Sequence, residues 1–143
     1  TSLSNTIDGC HIVDGNASTA ADGLGGGISN SATWVKVRNC MFARNYALSG
    51  GSAIYSFNNQ FGITISNCIF AAHPAAHSLL YLSAPGNLVA NGLFLWNGTT
   101  YGAYLFNSGA LVKNCTFTRN AGVQVYDYSA LSNNIRKQFK VIF

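Results

Sequence analysis

The chain has 143 residues, of which 48% are hydrophobic and only 8% charged; it contains four Asp, no Glu, and carries a formal net charge of +4. That charge is not a nucleic-acid footprint, because Arg136, Lys137 and Lys140 supply three of the eight basic residues in one tail segment and the rest are scattered. No segment reads as a membrane span, since Pro85, Asn87 and Asn91 interrupt the most apolar stretch.

In chain order, Gly9-Cys10-His11-Ile12 with Gly15 opens a signature that then returns four times. The later copies are Asn39-Cys40-Met41-Phe42 with Asn45, Asn67-Cys68-Ile69-Phe70 with His73, Asn91-Gly92-Leu93-Phe94 with Asn97, and Asn114-Cys115-Thr116-Phe117 with Asn120. The Cys, or Gly92 in its place, is spaced by 30, 28, 24 and 23 residues. Such self-similarity is the mark of a stacked repeat.

Alternation within each copy predicts strands. Ile7, Val37, Ile65, Val89 and Val112 lie three residues before the marker, and Ile12, Phe42, Phe70, Phe94 and Phe117 lie two after it. Both sets read as one buried strand face, with Asp8, Lys36, Arg38, Thr64, Ser66 and Lys113 on the watered side. Asn39, Asn67, Asn91 and Asn114 fall where two strands meet at a bend. Asn tolerates the left-handed conformation a sharp corner needs, and its amide can bond to the same Asn one coil away. These four are therefore expected to form an internal ladder. Asn45, Asn97 and Asn120 mark a second corner, with His73 and Gly15 as irregular members.

A third strand follows in each copy. It is introduced by glycine before Ile28, Ile54, Leu105 and Val125, and is filled without glycine by Ser78-Leu79-Leu80-Tyr81-Leu82. Three short strands per coil and about five coils of 23 to 30 residues predict an all-β, right-handed, single-stranded parallel β-helix over 1–143. Phe139-Lys140-Val141 repeats Val35-Lys36-Val37. Aligning Val141 with Val37 predicts a sixth coil begun but cut before its corner, so the chain reads as an excerpt of a longer repeat protein.

The Gly-Gly-x-x-Ile segments at Gly50 to Ile54 and Gly25 to Ile28, alternating with Phe-x-x-Asn at Phe42 to Asn45, Phe94 to Asn97 and Phe117 to Asn120, resemble the repeats of chlamydial polymorphic outer-membrane proteins. More broadly they resemble the β-helix passenger regions of autotransporter-like adhesins. The resemblance covers almost the whole chain. It implies a secreted or cell-surface structural protein with no cofactor, whose partners are other copies of itself, neighbouring domains of a longer parent, surface glycans or host receptors. Pectate-lyase-like enzymes share the architecture, so the fold alone leaves a carbohydrate-active enzyme or binding module as the alternative.

With Ile54, Leu80, Leu105 and Val125 inward, Tyr55, Phe57, Tyr81, Tyr104, Phe106, Tyr126 and Tyr128 line the exterior as an aromatic ladder. A one-residue slip would bury these rings instead. A second outward stripe follows the marker: Met41 and Ala43, Ile69 and Ala71, Leu93 and Leu95. Exposed apolar stripes mark interfaces. A catalytic constellation is lacking. Asp8, Asp14 and Asp22 are the only clustered carboxylates and read as turn formers and surface groups. His73 and His77 flank Pro74, which prevents a helical metal-binding pair, and the widely spaced cysteines do not match a zinc site, so no metal is expected. The cysteines are expected to pack as buried free thiols, with one bridged pair as the alternative. Of the sequons at Asn16, Asn97 and Asn114, only Asn16 lies in a loop suited to glycosylation.

Overall fold

The computed structural model describes residues 4–18, 23–31, 34–57, 61–105, 110–127 and 136–142. Among them every regular element is a strand, and all strand pairs are parallel. Parallel pairing needs a long crossover, and here the crossover is the rest of the coil. The first face stacks Ser4–Asp8, Trp34–Arg38, Ile63–Ser66, Leu88–Ala90 and the start of Leu111–Thr118. The second stacks His11–Val13, Met41–Ala43, Ile69–Ala71, Leu93–Leu95 and the end of Leu111–Thr118. The third stacks Ile28–Asn30, Ile54–Phe57, Ser78–Ser83, Tyr101–Leu105 and Val123–Asp127. These five rungs on each face span about four full turns, and Arg136–Ile142 adds a further rung beside the fifth on the first two faces.

The predicted inward rows form the core. Val37, Ile65, Val89 and Val112 are fully buried beneath the first face, and Phe42, Phe70, Phe94 and Phe117 beneath the second. The phenylalanine rings stack at 5.1, 4.7 and 4.4 Å with planes 14 to 17° apart. One residue type can repeat at this position because in-register rungs hold identical rings at stacking distance. Ile7, Ile12 and Ile28 of the first described coil are partly buried and pack against this core.

The first corner corrects the expected internal ladder. Asn39, Asn67, Asn91 and Asn114 do adopt the left-handed conformation, at φ 52 to 54°, with Gly9 at 66°. They lie on the outer surface, however. A left-handed residue breaks the strict alternation of a strand, so Arg38 and Asn39 both face out before Cys40 turns in. The ladder exists, but outside: Asn91 Nδ2 donates to Asn67 Oδ1 at 2.9 Å, Asn67 Nδ2 to Asn39 Oδ1 at 3.3 Å, and Asn39 Nδ2 to Asp8 Oδ1 at 2.8 Å.

The internal ladder runs along the second corner. There the left-handed residues are Asp14, Arg44, Ala72, Trp96 and Arg119, each one position before the residue singled out by the sequence. The following Asn45, His73 and Asn97 are buried. Each asparagine completes the backbone of the coil before it. Asn45 accepts from Gly15 N at 2.8 Å and donates to the Ile12 carbonyl at 2.8 Å. Asn97 accepts from His73 N at 3.2 Å and donates to the Phe70 carbonyl at 3.0 Å. Asn120 accepts from Asn97 N at 3.0 Å and donates to the Phe94 carbonyl at 3.0 Å.

The sixth rung also differs from expectation. Arg136–Ile142 pairs with Leu111–Thr118 through a register shift, setting Phe139 beside Cys115 and Val141 beside Phe117. Val141 is thus not level with the Val37 row, and this strand already passes the first corner. The Lys-flanked pattern misled because alternation repeats every two residues and fixes face, not rung position.

Replacing Asn97 with Ala strands a buried N–H on His73 and a buried carbonyl on Phe70, each costing on the order of 1 to 3 kcal/mol. Replacing the exposed Asn67 with Ala lets water take over its bonds and leaves mainly the left-handed backbone penalty, roughly 1 kcal/mol. Urea denaturation of both variants is expected to rank Asn97→Ala well below Asn67→Ala; the reverse order would contradict the assignment of the inner ladder.

Candidate functional site

The third face is built so that large rings stand outside and aliphatic groups inside. Gly51 takes φ 68°, and a side chain at Gly50 would press within 3.1 Å of the Tyr81 ring, so the Gly-Gly entry both makes the turn and leaves room for the ring one coil on. Ile54, Leu80, Leu82, Ala103 and Leu105 are fully buried and Val125 nearly so. In the other direction the register aligns Tyr55 with Tyr81, Tyr81 with Tyr104 and Tyr104 with Tyr126.

These four tyrosines are half-buried on the outer surface. Their ring centroids are 5.2, 5.1 and 5.4 Å apart, with interplanar angles of 37, 24 and 20°. Phe57 continues the patch, 6.2 Å from Tyr55. Phe106 and Tyr128 lie outside the described residues. Two further rings join it: Tyr101 lies 5.3 Å from Tyr104 and 4.8 Å from Tyr126, and His77 meets Tyr101 and Tyr104 edge-on at 5.2 and 5.1 Å. Sequence alternation missed Tyr101 because Gly102 and Ala103 both point inward, so positions 101 and 104 share the outer side.

The second stripe lies on another face. Ile69 and Leu93 are 40% and 36% exposed, Met41 and Leu95 half-buried. Ala43 is buried rather than exposed, while Ala71 is partly covered. Trp96 extends this stripe at the second corner. It is 57% exposed and carries the Arg119 guanidinium 5.9 Å from its ring centroid. The sequence signal for it was its position just before Asn97, where Arg44 and Arg119 stand in other coils.

The carboxylates are held as ions. Asp8 accepts from Asn39 at 2.8 Å and pairs with Arg38 at 2.9 Å, and the Asn39 bond, followed by Arg38, holds its carboxyl below the usual range. Asp14 takes two bonds of 2.7 Å from Arg44, which lower it likewise. A general acid needs its pKa raised, the opposite of both shifts. Asp22 lies outside the described residues, and no group of three His, Cys, Asp or Glu among the described residues could hold a metal.

Cys40, Cys68 and Cys115 are buried free thiols, each bonding the carbonyl two residues back at 3.0 to 3.3 Å, whereas Cys10 is exposed. Burial pushes the Cys68 thiol up to about 11. His77 lies on the surface, whereas His73 takes an asparagine's place inside. Its Nδ1 lies 2.9 Å from Asn97 Oδ1, so the ring donates there, and its Nε2 lies 3.5 Å from Asn45 Nδ2.

The model of the "right handed beta helix region" family matches residues 1–138. The chain belongs to this right-handed β-helix family. Neither curated proteins nor solved structures gave a match. The family match agrees with the parallel coils and supplies their hand; it assigns no ligand.

Burial lowers the His73 pKa to about 4, against the partial support of Asn97. As pH falls, the unfolded chain takes up this proton near 6.5 and the folded chain only near 4, so stability drops between those values and this contribution is flat below them. The loss is on the order of 3 kcal/mol. Thermal or urea unfolding from pH 7 to 4 is expected to show it, and His73→Asn, which restores the residue of the neighbouring coils, is expected to flatten that part of the profile.

Proposed function

We propose that this β-helix is a non-catalytic structural or adhesive scaffold of the cell surface or extracellular space, making contact through the tyrosine face and the Met41, Ile69, Leu93 and Leu95 stripe. The observation that carries the reading is the continuous row Tyr55, Tyr81, Tyr104 and Tyr126, with Tyr101 and His77 beside it. Rigid, amphipathic tyrosine rings contribute contact area at small entropic cost. The ion-paired states of Asp8 and Asp14 argue in the same direction, since neither is poised for proton transfer. The partners in this reading are other β-helical segments or surface molecules of the kind adhesin passenger repeats meet.

Carbohydrate binding is the second reading, and Trp96 favours it. Ala72 takes the equivalent corner position one coil earlier, so only a methyl group flanks that side of the exposed indole. A sugar ring stacked there lies on the indole face opposite Arg119, which comes from the following coil. The tyrosine row serves stacking less well, because both faces of Tyr81 and Tyr104 are already met by neighbouring rings.

The test compares the chain with a Tyr81→Ser, Tyr104→Ser variant in surface-adhesion and sedimentation assays, and with Trp96→Ala on glycan arrays. Loss of adhesion or self-association in the tyrosine variant supports the scaffold; glycan binding lost only with Trp96→Ala supports the second reading. No turnover of acidic polysaccharide is expected, with or without calcium. Turnover that disappears in Asp8→Ala would overturn the non-catalytic assignment.

A further inference from the structure

We infer that the tyrosine face is a site of oxidative modification, at which a peroxide-driven one-electron oxidant joins phenols of successive coils as 3,3′-dityrosine. The inference goes beyond the contact role and does not depend on what touches the face. Its basis is a density of phenols that packing alone does not require. Tyr101, Tyr104 and Tyr126 form a triangle with centroid separations of 5.3, 4.8 and 5.4 Å. Tyr81 lies 5.1 Å from Tyr104 and Tyr55 5.2 Å from Tyr81. All five rings are half-buried, so they meet solvent while the strands hold them in place.

The chemistry follows from that placement. One phenol loses an electron and its proton, giving a radical whose unpaired spin spreads to the ring carbons beside the oxygen. A second phenol does the same. The two radicals combine by forming one bond between those carbons, and the ring hydrogen on each carbon moves to the oxygen to restore both phenols. In sum the protein loses two hydrogen atoms, and hydrogen peroxide takes them up to give two waters. In solution the second radical must arrive by diffusion; on this face the partner ring is already at contact distance. The tilted Tyr101–Tyr126 pair, at 4.8 Å and 36°, is nearer to the twisted geometry of the joined rings than the flatter Tyr104–Tyr126 stack at 20°. The bond would tie the fourth coil to the fifth.

Tyr46 supplies the internal comparison. It is half-buried like the ladder tyrosines, but no ring contact involves it among the described residues. Tryptic cleavage places Tyr46, Tyr55, Tyr81, Tyr101 and Tyr104 in peptide 45–113 and Tyr126 and Tyr128 in peptide 120–136, and fragmentation of the joined peptides locates the coupled residue within each.

The experiment treats the purified chain, at a series of dilutions, with a haem peroxidase and hydrogen peroxide. Mass spectrometry and blue dityrosine fluorescence follow the product. The expected result is a monomer lighter by two hydrogen atoms, peptides 45–113 and 120–136 joined through Tyr101 or Tyr104 to Tyr126, and a yield unaffected by dilution. The double variant Tyr101→Phe, Tyr104→Phe keeps the ring stack but lacks the phenols. It is expected to lower the joined product several-fold while leaving the circular dichroism spectrum unchanged. Coupling confined to covalent dimers, coupling through Tyr46 as often as through the ladder, an unchanged yield in the double variant, or no coupling would each overturn the inference. Because the chain is tested alone, failure here leaves the adhesion result untouched.

Discussion

Each coil of this protein must turn two corners with single residues, and those residues must lie in the left-handed region. Gly9, Asn39, Asn67, Asn91 and Asn114 make the first corner, and Asp14, Arg44, Ala72, Trp96 and Arg119 the second; each pair is five residues apart. That interval is constant although coil length shrinks from 30 to 23 residues. Four residues lie between the corners, and in the four later coils the first (Cys40, Cys68, Gly92, Cys115) and the third (Phe42, Phe70, Phe94, Phe117) are buried. A block of constant length lets every rung lie flat on the next, and all variation in length falls in the rest of the coil.

The second corner also leaves backbone groups that strand pairing does not satisfy, and the inner ladder takes them up. The outer asparagines bond one another in water, where each bond adds little. The inner ones replace water that cannot reach the coil interior, and each spans one coil boundary by taking an N–H and a carbonyl from the coil before. Loss of an inner member therefore leaves unpaired groups in a dry place, which costs far more than the bond contributes. His73 reaches the side chains of Asn97 and Asn45 instead, and because burial disfavours its charged form it turns one coil of a pH-indifferent ladder into an acid-sensitive one.

Much of this was legible in the sequence. The repeat, its three strands, the inward Val and Phe rows and the outward tyrosines all follow from period-two alternation and recurring glycine. The side of the first-corner asparagines did not follow, because alternation cannot be carried through a left-handed residue; two outward residues in succession shift the parity. The same loss of parity hid Tyr101, whose strand buries Gly102 and Ala103 in succession. Trp96 was hidden for a different reason. Asn, Gly and Asp are the residues expected at φ near 54°, and a tryptophan there reads as a strand residue. The rung position of Arg136–Ile142 required the register itself, which composition does not encode.

Because the five-residue block and its ladders hold the coils together, the outer faces are free to vary without endangering the stack. The third face uses that freedom in an unusual direction. A row of identical rings one coil apart stacks upon itself, so the flat surfaces of Tyr81 and Tyr104 are spent on their neighbours, and what remains for a partner is a line of ring edges and hydroxyl groups at strand spacing, about 4.8 Å. A partner matching that line must itself repeat along one direction at a similar pitch or be indifferent to register. This favours extended, repetitive partners over compact ones, and it separates the tyrosine face from the corner at Trp96, where a single exposed indole offers a flat surface to one small group.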